Sequence, residues 1–367
     1  MLATGRAPGR ALGRRVGVAS IAAVLVALPA CGSSTKSGTS GGGTSSGGSS
    51  SAGSAAVGKT GRLKLAFFSV GGNNSYLQAG IKGAKEAAAK YNADIQVFDA
   101  EFDGAKQLNQ VTSHISGGFD GFVIEPNNSQ QLCSAVKAAL KAKIAVGITN
   151  VPACDAPYNG VYPGTTIFAG GQSPAVYKQW LEQGLKSAPG GEFAVLNGPA
   201  TQGNTVRAHQ VLDTLKPQYP DWKEVAFQYT DYQASVALSE TQTILQQHPN
   251  LKVLFSSYSG HTPGAISAIK AAGKEGQVKV YDLGGDKVMF DALKANQITS
   301  TEVYLPYEES SRAVQSVVAK IRGQQSLDGV TVGNFWDLTK DPKLQGLPAF
   351  VQRSQISKYN AIGLPEY

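Results

Sequence analysis

Short apolar runs alternate with segments of helical periodicity through most of this chain, beginning with residues 63–91. Residues 63–68 (LKLAFF) are almost all apolar, which is typical of a strand buried on both faces of a sheet. A Gly-Gly-Asn-Asn turn follows, Ser75 is placed to cap a helix, and apolar residues recur at helical spacing up to Tyr91. The unit is strand, polar turn and amphipathic helix. Its turn lies at the carboxyl end of the strand, where open α/β sheets bind ligands.

The same unit recurs along the chain and predicts an α/β fold with parallel sheets and right-handed crossovers. About 305 residues follow the N-terminal region, which is the usual length of two domains. The pattern amounts to two similar halves. The predicted strands are 63–68, 94–98, 120–124, 144–149, 192–196, 225–228, 252–255, 278–283 and 298–303.

Residues 1–30 have the composition of a secretory signal peptide. Four arginines precede an apolar run at 16–27, which is too short for a spanning helix of about 20 residues. The sequence Leu28-Pro29-Ala30-Cys31 then resembles a bacterial lipobox, in which Cys31 is lipidated and becomes the first mature residue. An ordinary signal peptide with an incidental cysteine is the alternative.

Residues 31–61 are dominated by Gly, Ser, Thr and Ala and are predicted to form a flexible tether. About 27 such residues have a root-mean-square reach near 30 Å. We therefore expect a folded part that starts near Arg62 and is held at a membrane surface.

The net charge argues against a nucleic-acid partner. The formal charge is +7, and removing the four arginines of the leader leaves +3. No basic run follows the leader, so the basic pI is due mainly to the arginines of the leader.

Cys133 and Cys154 are the two cysteines after the leader. Cys133 falls in the first turns of a predicted helix and Cys154 follows the next strand, so both should lie at one edge of the first sheet. In an exported protein this favours a disulfide, which closes a loop of about 20 residues and contributes about 3 kcal/mol. Two buried free thiols are the alternative.

Several segments together resemble the type 1 periplasmic binding proteins of ABC transporters, and most closely the ribose-binding branch. The resemblance covers about residues 62–325 and rests on AFFSVGGNNSYLQAGIKGAKEAA, DGFVIEPNN, IAVGITN, LNGPATQGNTVRAHQVL, TDYQASVALSETQTILQQHPNLKVLFSS, HTPGAISAIKAAG and LKANQITSTEVYLPYEESSRAVQ.

The resemblance implies two Rossmann-like parallel-sheet lobes joined by three hinge crossovers, closing on a small solute. The first lobe would comprise residues 62–169 and 305–334, and the second 170–304 and 335–367. The C-terminal segment would recross to the second lobe, with Phe335 and Trp336 near the hinge.

The resemblance also implies a set of ligand-binding residues. Asn73, Asn74 and Tyr76 match the ligand loop of the first lobe, although Asn is also an ordinary turn former. Arg207 matches an arginine of the second lobe, with a surface ion pair as the alternative, and Tyr232 matches an aromatic that covers the sugar face. The implied cleft is bounded by Asn74 and Arg207.

Other matched positions depart from the sugar-binding pattern. Asn150 stands in place of a carboxylate and is followed by Val151 instead of an arginine; Tyr258 replaces an Asn and Tyr304 a Gln. Gly284 falls where an Asp would stand, and Asp282 and Asp286 flank it, although either could cap the next helix. A pocket rich in Tyr and poor in charge suits a less polar sugar, a deoxy sugar, a cyclitol or an aromatic solute.

We therefore expect a monomeric, lipid-anchored solute receptor outside the cytoplasm that delivers a small sugar or polyol to an ABC permease. A sensory receptor with the same fold is one alternative, and a surface interaction protein with a vestigial cleft is another. No enzyme is expected, because no nucleophile elbow, P-loop, His-Glu-x-x-His motif or dinucleotide fingerprint is present. His209 has no nucleophile at a definable distance. No cofactor or metal is expected, because the histidines lack zinc-ligand spacing; they are His114, His209, His248 and His261.

Overall fold

The computed structural model describes residues 58–157, 159–200 and 202–367, and their strands form two six-stranded sheets and a short hairpin. The predicted signal peptide, the predicted lipidation site at Cys31 and residues 31–57 of the predicted tether lie outside the described residues.

The first sheet is parallel throughout, and its helices connect successive strands. Its strand order is β13-β5-β4-β3-β1-β2. The elements up to the first crossing are β1 (Leu63–Ser69), α1 (Ser75–Lys90), β2 (Ala93–Asp99), α2 (Gly104–His114), β3 (Gly121–Ile124), α3 (Cys133–Lys141), β4 (Ala145–Thr149) and β5 (Ile167–Ala169).

The second sheet has the order β14-β10-β9-β8-β6-β7 and is parallel except for β14, which pairs antiparallel with β10. Its elements are α4 (Pro174–Leu185), β6 (Gly191–Asn197), α5 (Gly203–Leu215), β7 (Trp222–Tyr229), α6 (Ala234–Gln247), β8 (Leu251–Ser256), α7 (Thr262–Ala271), β9 (Lys279–Asp282), α8 (Lys287–Lys294) and β10 (Ser300–Glu302).

The remaining elements alternate between the sheets. Helix α9 packs on α1 and on strands of the first sheet, whereas α10 joins the core of the second. These elements are α9 (Pro306–Ile321), β11 (Ser326–Leu327), β12 (Val330–Thr331), β13 (Asn334–Trp336), β14 (Phe350–Val351) and α10 (Ile356–Ala361). We call the first sheet with α1–α3 and α9 the first lobe, and the second sheet with α4–α8 and α10 the second lobe.

Within the described residues the chain crosses between the lobes three times, at 170–173, 303–305 and 337–349. The predicted α/β fold with two parallel-sheet lobes is confirmed. One detail differs: β13 pairs with β5, and Phe335 stacks on Phe168 with ring centroids 6.1 Å apart. Phe335 and Trp336 therefore belong to the first sheet, and the last crossing comes after residue 336 instead of after 334.

The small residues of α1 allow α9 to approach it closely. A Cβ on Gly83 would lie 2.2 Å from the carbonyl oxygen of Tyr307, so only glycine fits there without movement. This contact keeps α9, which follows the second crossing, on the first lobe.

Cys133 and Cys154 form a disulfide with their Cα atoms 4.8 Å apart, as the sequence predicts. Among residues 58–367, apart from the two that the structure does not describe, no helix has the length and apolar character needed to cross a bilayer.

Candidate functional site

A cavity of about 680 Å³ lies between the lobes, at the carboxyl ends of both sets of strands. The loops after β1, β2, β3 and β4 form one wall, and the loops after β6, β7 and β8 form the other. Side chains from two crossing segments, Gln172 and Tyr304, also line it. The cavity therefore draws on both lobes and on the hinge, as a solute cleft in this type of sheet should.

Seven of the ten predicted ligand-binding residues line this cavity. They come from the loop before α1 and the first turn of α1, from the residue after β4, from the loops after β7 and β8, and from the second crossing. These residues are Asn73, Asn74, Tyr76, Asn150, Tyr232, Tyr258 and Tyr304. A direct contact of each with the solute stays a prediction.

Asn74 has a structural task as well as a cavity position. Its Oδ1 accepts a hydrogen bond of 2.9 Å from the backbone N–H of Leu77 and so caps α1. Asn74 therefore has a local structural role as the N-cap of α1, and its contact with a solute stays a prediction.

Tyr76 presents its ring to the cavity while its hydroxyl points to the hinge. The hydroxyl donates a 2.6 Å hydrogen bond to Glu309 Oε2, and the backbone N–H of Gly171 donates to Glu309 Oε1 at 2.8 Å. Burial raises the pKa of Glu309 to about 8. Tyr76 can therefore offer a solute its ring, because its hydroxyl is already engaged.

A chain of hydrogen bonds fixes the amides on the first-lobe side. Asn150 Nδ2 donates to Glu125 Oε1 at 3.0 Å, and Gln172 Nε2 donates to Asn150 Oδ1 at 3.0 Å. Glu125 is buried, also accepts from Ser69 Oγ, and has its pKa raised by that burial. Asn150 has φ of 60°, a left-handed conformation that Asn tolerates better than most residues.

The row of hydrogen bonds continues into the second lobe through Asn204. Its Nδ2 donates to Gln172 Oε1 and, at 2.9 Å, to the hydroxyl of Tyr232. The Tyr232 hydroxyl in turn donates to Gln202 Oε1 at 2.7 Å. An unbroken row of amide and phenol groups thus joins the two lobes along the cavity.

The aromatic side chains of the second lobe form a cluster at the cavity wall. Tyr232 and Tyr258 meet edge to face with centroids 4.9 Å apart. Burial raises the pKa of Tyr232 to about 12 and raises the pKa of Tyr258. Tyr232 approaches Gly198 so closely that a Cβ there would lie 2.2 Å from the phenol ring. These phenols are neutral and offer ring faces together with hydroxyls.

The cavity is almost free of charge. Among its described lining residues, Asp231 is the one acid or base, and it is exposed to solvent. Asn73, Asn127, Asn128, Gln131 and Gln233 add further amides. An amide can donate and accept hydrogen bonds, as a hydroxyl can, so this lining is chemically matched to an uncharged polyhydroxyl solute.

Arg207 does not line the cavity, so the predicted cleft bounded by Asn74 and Arg207 is wrong in its second member. The guanidinium donates to the backbone oxygens of Ala156 at 3.0 Å and Pro157 at 3.2 Å. Asn204 lies in the first turn of α5 and lines the cavity, whereas Arg207 lies nearly one turn further along the same helix and reaches the loop after β4 at the outer rim.

Asp282 and Asp286 also lie outside the cavity lining. Asp282 is fully buried and accepts hydrogen bonds from the hydroxyls of Thr262 and Thr301. Asp286 caps α8, with its Oδ1 accepting from the N–H of Met289 at 2.9 Å. The helix-capping alternative therefore describes Asp286, and Asp282 is a buried structural carboxyl at the end of β9.

Three amides that connect the lobes were not predicted from the sequence: Gln172, Gln202 and Asn204. Asn204 and Gln202 lie at the start of a helix that follows a strand of a parallel sheet, and such positions face the cleft. Their position after a strand could therefore have predicted Gln202 and Asn204 from the sequence. Gln172 carries no comparable signal, because it sits in a short crossing segment whose course depends on both lobes.

The described residues contain no group of three or more His, Cys, Asp or Glu side chains suited to holding a metal ion. His261 is buried next to Thr230, whose hydroxyl lies 2.6 Å from its Nδ1. Burial lowers the pKa of His261 to about 3, so this ring is neutral.

Comparison with known proteins agrees with this architecture. A family model described as "Periplasmic binding protein domain" matches residues 65–325, well over half of the chain. The ribose import binding protein RbsB of Bacillus subtilis is 24% identical over 234 residues, which cover 64% of this chain and 73% of that protein.

Two solved structures share the fold. A solute-binding protein of an ABC transporter from Agrobacterium vitis, with bound D-fucose, superposes with a TM-score of 0.69 at 21% identity. That match covers 81% of this chain and 98% of that one. A Caulobacter myo-inositol binding protein superposes with a TM-score of 0.67 at 19% identity and covers 84% and 99% of the two chains.

The family match extends over both lobes and over the strand ends that form the cavity walls. The chain therefore belongs to the periplasmic binding protein family, and it is an extracytoplasmic solute-binding protein and not an enzyme.

Proposed function

We propose that this protein is the lipid-anchored binding subunit of an ABC importer, and that it captures an uncharged sugar or polyol of monosaccharide size. The solute lies in the cavity between the lobes and is passed to a permease in the cytoplasmic membrane. The three crossings between the lobes, at 170–173, 303–305 and 337–349, are the points about which the cavity closes.

The lining of the cavity carries this proposal. A charged solute would need a buried counter-charge, because a bare charge in such a site is costly to desolvate. The described lining offers amides and phenols on every side, with one solvent-exposed acid at Asp231. Hydroxyl groups can both donate to and accept from such side chains, so a neutral polyhydroxyl compound satisfies them best.

The cavity volume and the relatives support the same class of solute. About 680 Å³ is within the usual range for a small-molecule site. Ribose, D-fucose and myo-inositol, named for the three relatives, are all neutral and carry several hydroxyls.

Within this class, the aromatic content favours a solute with an extended apolar face. Tyr76, Tyr232, Tyr258, Tyr304 and Phe102 give the cavity several apolar surfaces. A deoxy sugar or a cyclitol has apolar faces that pack on such rings. We therefore place deoxy sugars and cyclitols ahead of pentoses such as ribose.

A thermal-shift panel tests the proposal. Neutral sugars, deoxy sugars and cyclitols are compared with sugar acids, amino sugars and aromatic acids. We expect a neutral compound to raise the melting temperature, since a free solute at 100 times its Kd stabilises by about 2.7 kcal/mol. The Asn204→Ala variant should lose most of this shift, and Asn360→Ala, which removes an exposed amide on α10, should keep it. A panel in which only charged or aromatic compounds stabilise the protein contradicts the proposal.

The anchor is proposed from Leu28-Pro29-Ala30-Cys31 and from the small-residue tether that follows it. In cells, we expect the wild-type protein in the membrane fraction and labelled by a radioactive fatty acid. The Cys31→Ser variant should lose the label and leave the membrane fraction. Labelling that persists in this variant contradicts the anchor.

A further inference from the structure

Arg207 joins the two lobes at the rim, outside the cavity. It lies in α5 of the second lobe, and its acceptors follow β4 of the first lobe. Nη2 donates to the backbone oxygen of Ala156 at 3.0 Å and Nη1 donates to that of Pro157 at 3.2 Å. One rigid guanidinium thus spans two successive carbonyl groups, which a lysine could not do with the same geometry.

The acceptor segment is firmly attached to the first lobe. The disulfide between Cys133 and Cys154 ties it to the start of α3. Ser129 adds two bonds: its Oγ donates to the oxygen of Pro152 at 2.6 Å, and its own carbonyl oxygen accepts from the N–H of Cys154 at 3.0 Å. The carbonyl groups that receive Arg207 therefore have a fixed position.

The start of α5 presses against the same segment. A Cβ on Gly203 would lie 2.2 Å from Ser129 Oγ and 3.1 Å from the oxygen of Pro152. Gly203 belongs to the second lobe, and Ser129 and Pro152 belong to the first. Such a close approach of the two lobes exists only when the cleft is closed. The hydrogen bonds of Arg207 cross the same interface between the lobes, so they must break when the lobes separate.

We propose that Arg207 is a latch that stabilises the closed form and thereby slows release of the solute. It is a positioning residue that acts through the lobe interface, outside the lining of the cavity. The inference rests on the proposed function for the identity of the solute, but the closing contact itself does not depend on that identity. Loss of the latch should speed release of every solute by a similar factor, whereas loss of a solute contact changes the order of preference.

The test compares the wild type with Arg207→Ala, Arg207→Lys and a control, Arg322→Ala. Arg322 also donates to a carbonyl oxygen, that of Tyr91 at 2.7 Å, but both residues belong to the first lobe. D-fucose and myo-inositol serve as probes in stopped-flow release measurements, and small-angle X-ray scattering of the ligand-free proteins reports the separation of the lobes.

For Arg207→Ala we expect release of each probe that binds to be faster by about tenfold or more, from the loss of charge-assisted hydrogen bonds. Arg207→Lys should lie between it and the wild type, and Arg322→Ala should release probes as the wild type does. The ligand-free Arg207→Ala protein should have a larger radius of gyration than the wild type.

Unchanged release together with unchanged scattering overturns the latch, as does a change in the ratio of affinities for the two probes. If neither probe binds the wild type, scattering alone decides: an expanded Arg207→Ala protein supports the latch, and an unchanged one refutes it. Failure of the proposed function is seen separately, as a wild-type protein that no neutral solute in the panel stabilises.

Discussion

Asp282 is a residue whose protonation should be visible in the stability of the whole protein. It is fully buried at the end of β9, and burial raises its pKa from 3.8 to about 7 despite the hydroxyls of Thr262 and Thr301 that bond to it. Between about pH 4 and pH 7 the folded protein holds this proton and the unfolded chain releases it. The contribution of Asp282 to the free energy of unfolding should therefore fall as pH rises through this window and level off above pH 7, whereas Glu309, with a pKa of about 8, extends the fall of the total to higher pH.

The change Asp282→Asn removes the titration while keeping the shape of the side chain. The full linkage between a pKa of 3.8 in the unfolded chain and about 7 in the folded protein is about 4 kcal/mol, so the variant should gain stability relative to the wild type as pH rises from 5 to 8. Urea unfolding at several pH values measures this. The control Glu275→Gln alters an exposed acid and should leave the pH dependence unchanged. Parallel curves for wild type and Asp282→Asn contradict the assignment.

At the same scale, the sequence predicted cavity residues well where they directly follow strands. Asn150 and Tyr258 sit just beyond strand ends, and a parallel sheet brings all such ends to one edge. Prediction failed for Arg207, because successive residues on a helix differ by about 100° in direction and the rotation of α5 depends on tertiary packing. It also failed for Asp282, because a carboxyl near a strand end can point beneath the sheet as well as into the cleft.

Among the elements, the loop after β4 depends on the disulfide for its position. Cys133 begins α3 and Cys154 lies in a left-handed conformation with φ of 55°. The bridge spans 21 residues of sequence and encloses β4, a fully buried strand of the first sheet. It therefore links one helix, one central strand and the rim that receives Arg207.

Replacing both cysteines by serine should lower the free energy of unfolding by about 3 kcal/mol, the chain-entropy value for a loop of this size. Urea unfolding of the double variant, beside wild type with and without reductant, measures the loss. Reduced wild type should approach the double variant. Equal free energies of unfolding for the oxidised wild type and the double variant would contradict a stabilising role for the disulfide.

The longer elements could be predicted from the sequence, and the short ones near the C-terminus could not. Apolar runs and helical periodicity identified the strands and helices up to β10 except β5, because each of the others buries a continuous face. Strand β5 has only three residues and was not predicted. Strands β13 and β14 have three and two residues, too few to show a period. They pair with β5 and β10, and this pairing depends on which edge strands the earlier parts of the chain leave without a neighbour.

On the scale of the whole molecule, the hinge and the cavity share residues. Tyr76 lines the cavity and meets Tyr304 and Tyr367 edge to face, with centroids 5.9 and 5.5 Å away. Its hydroxyl bonds to Glu309 at the start of α9, just after the second crossing. A solute that packs on Tyr76 therefore touches the structure about which the lobes turn, which is how binding can favour closure.

The central claim is that a neutral solute is held between the two lobes by contacts from both. Native mass spectrometry of the protein mixed with neutral sugars and cyclitols tests it most directly, with Asn150→Ala removing an amide of the first lobe and Asn204→Ala one of the second. We predict a one-to-one complex with a neutral polyhydroxyl compound for the wild type, strongly reduced in each variant. The absence of any such complex in the wild type, or a complex that either variant retains in full, would contradict the claim.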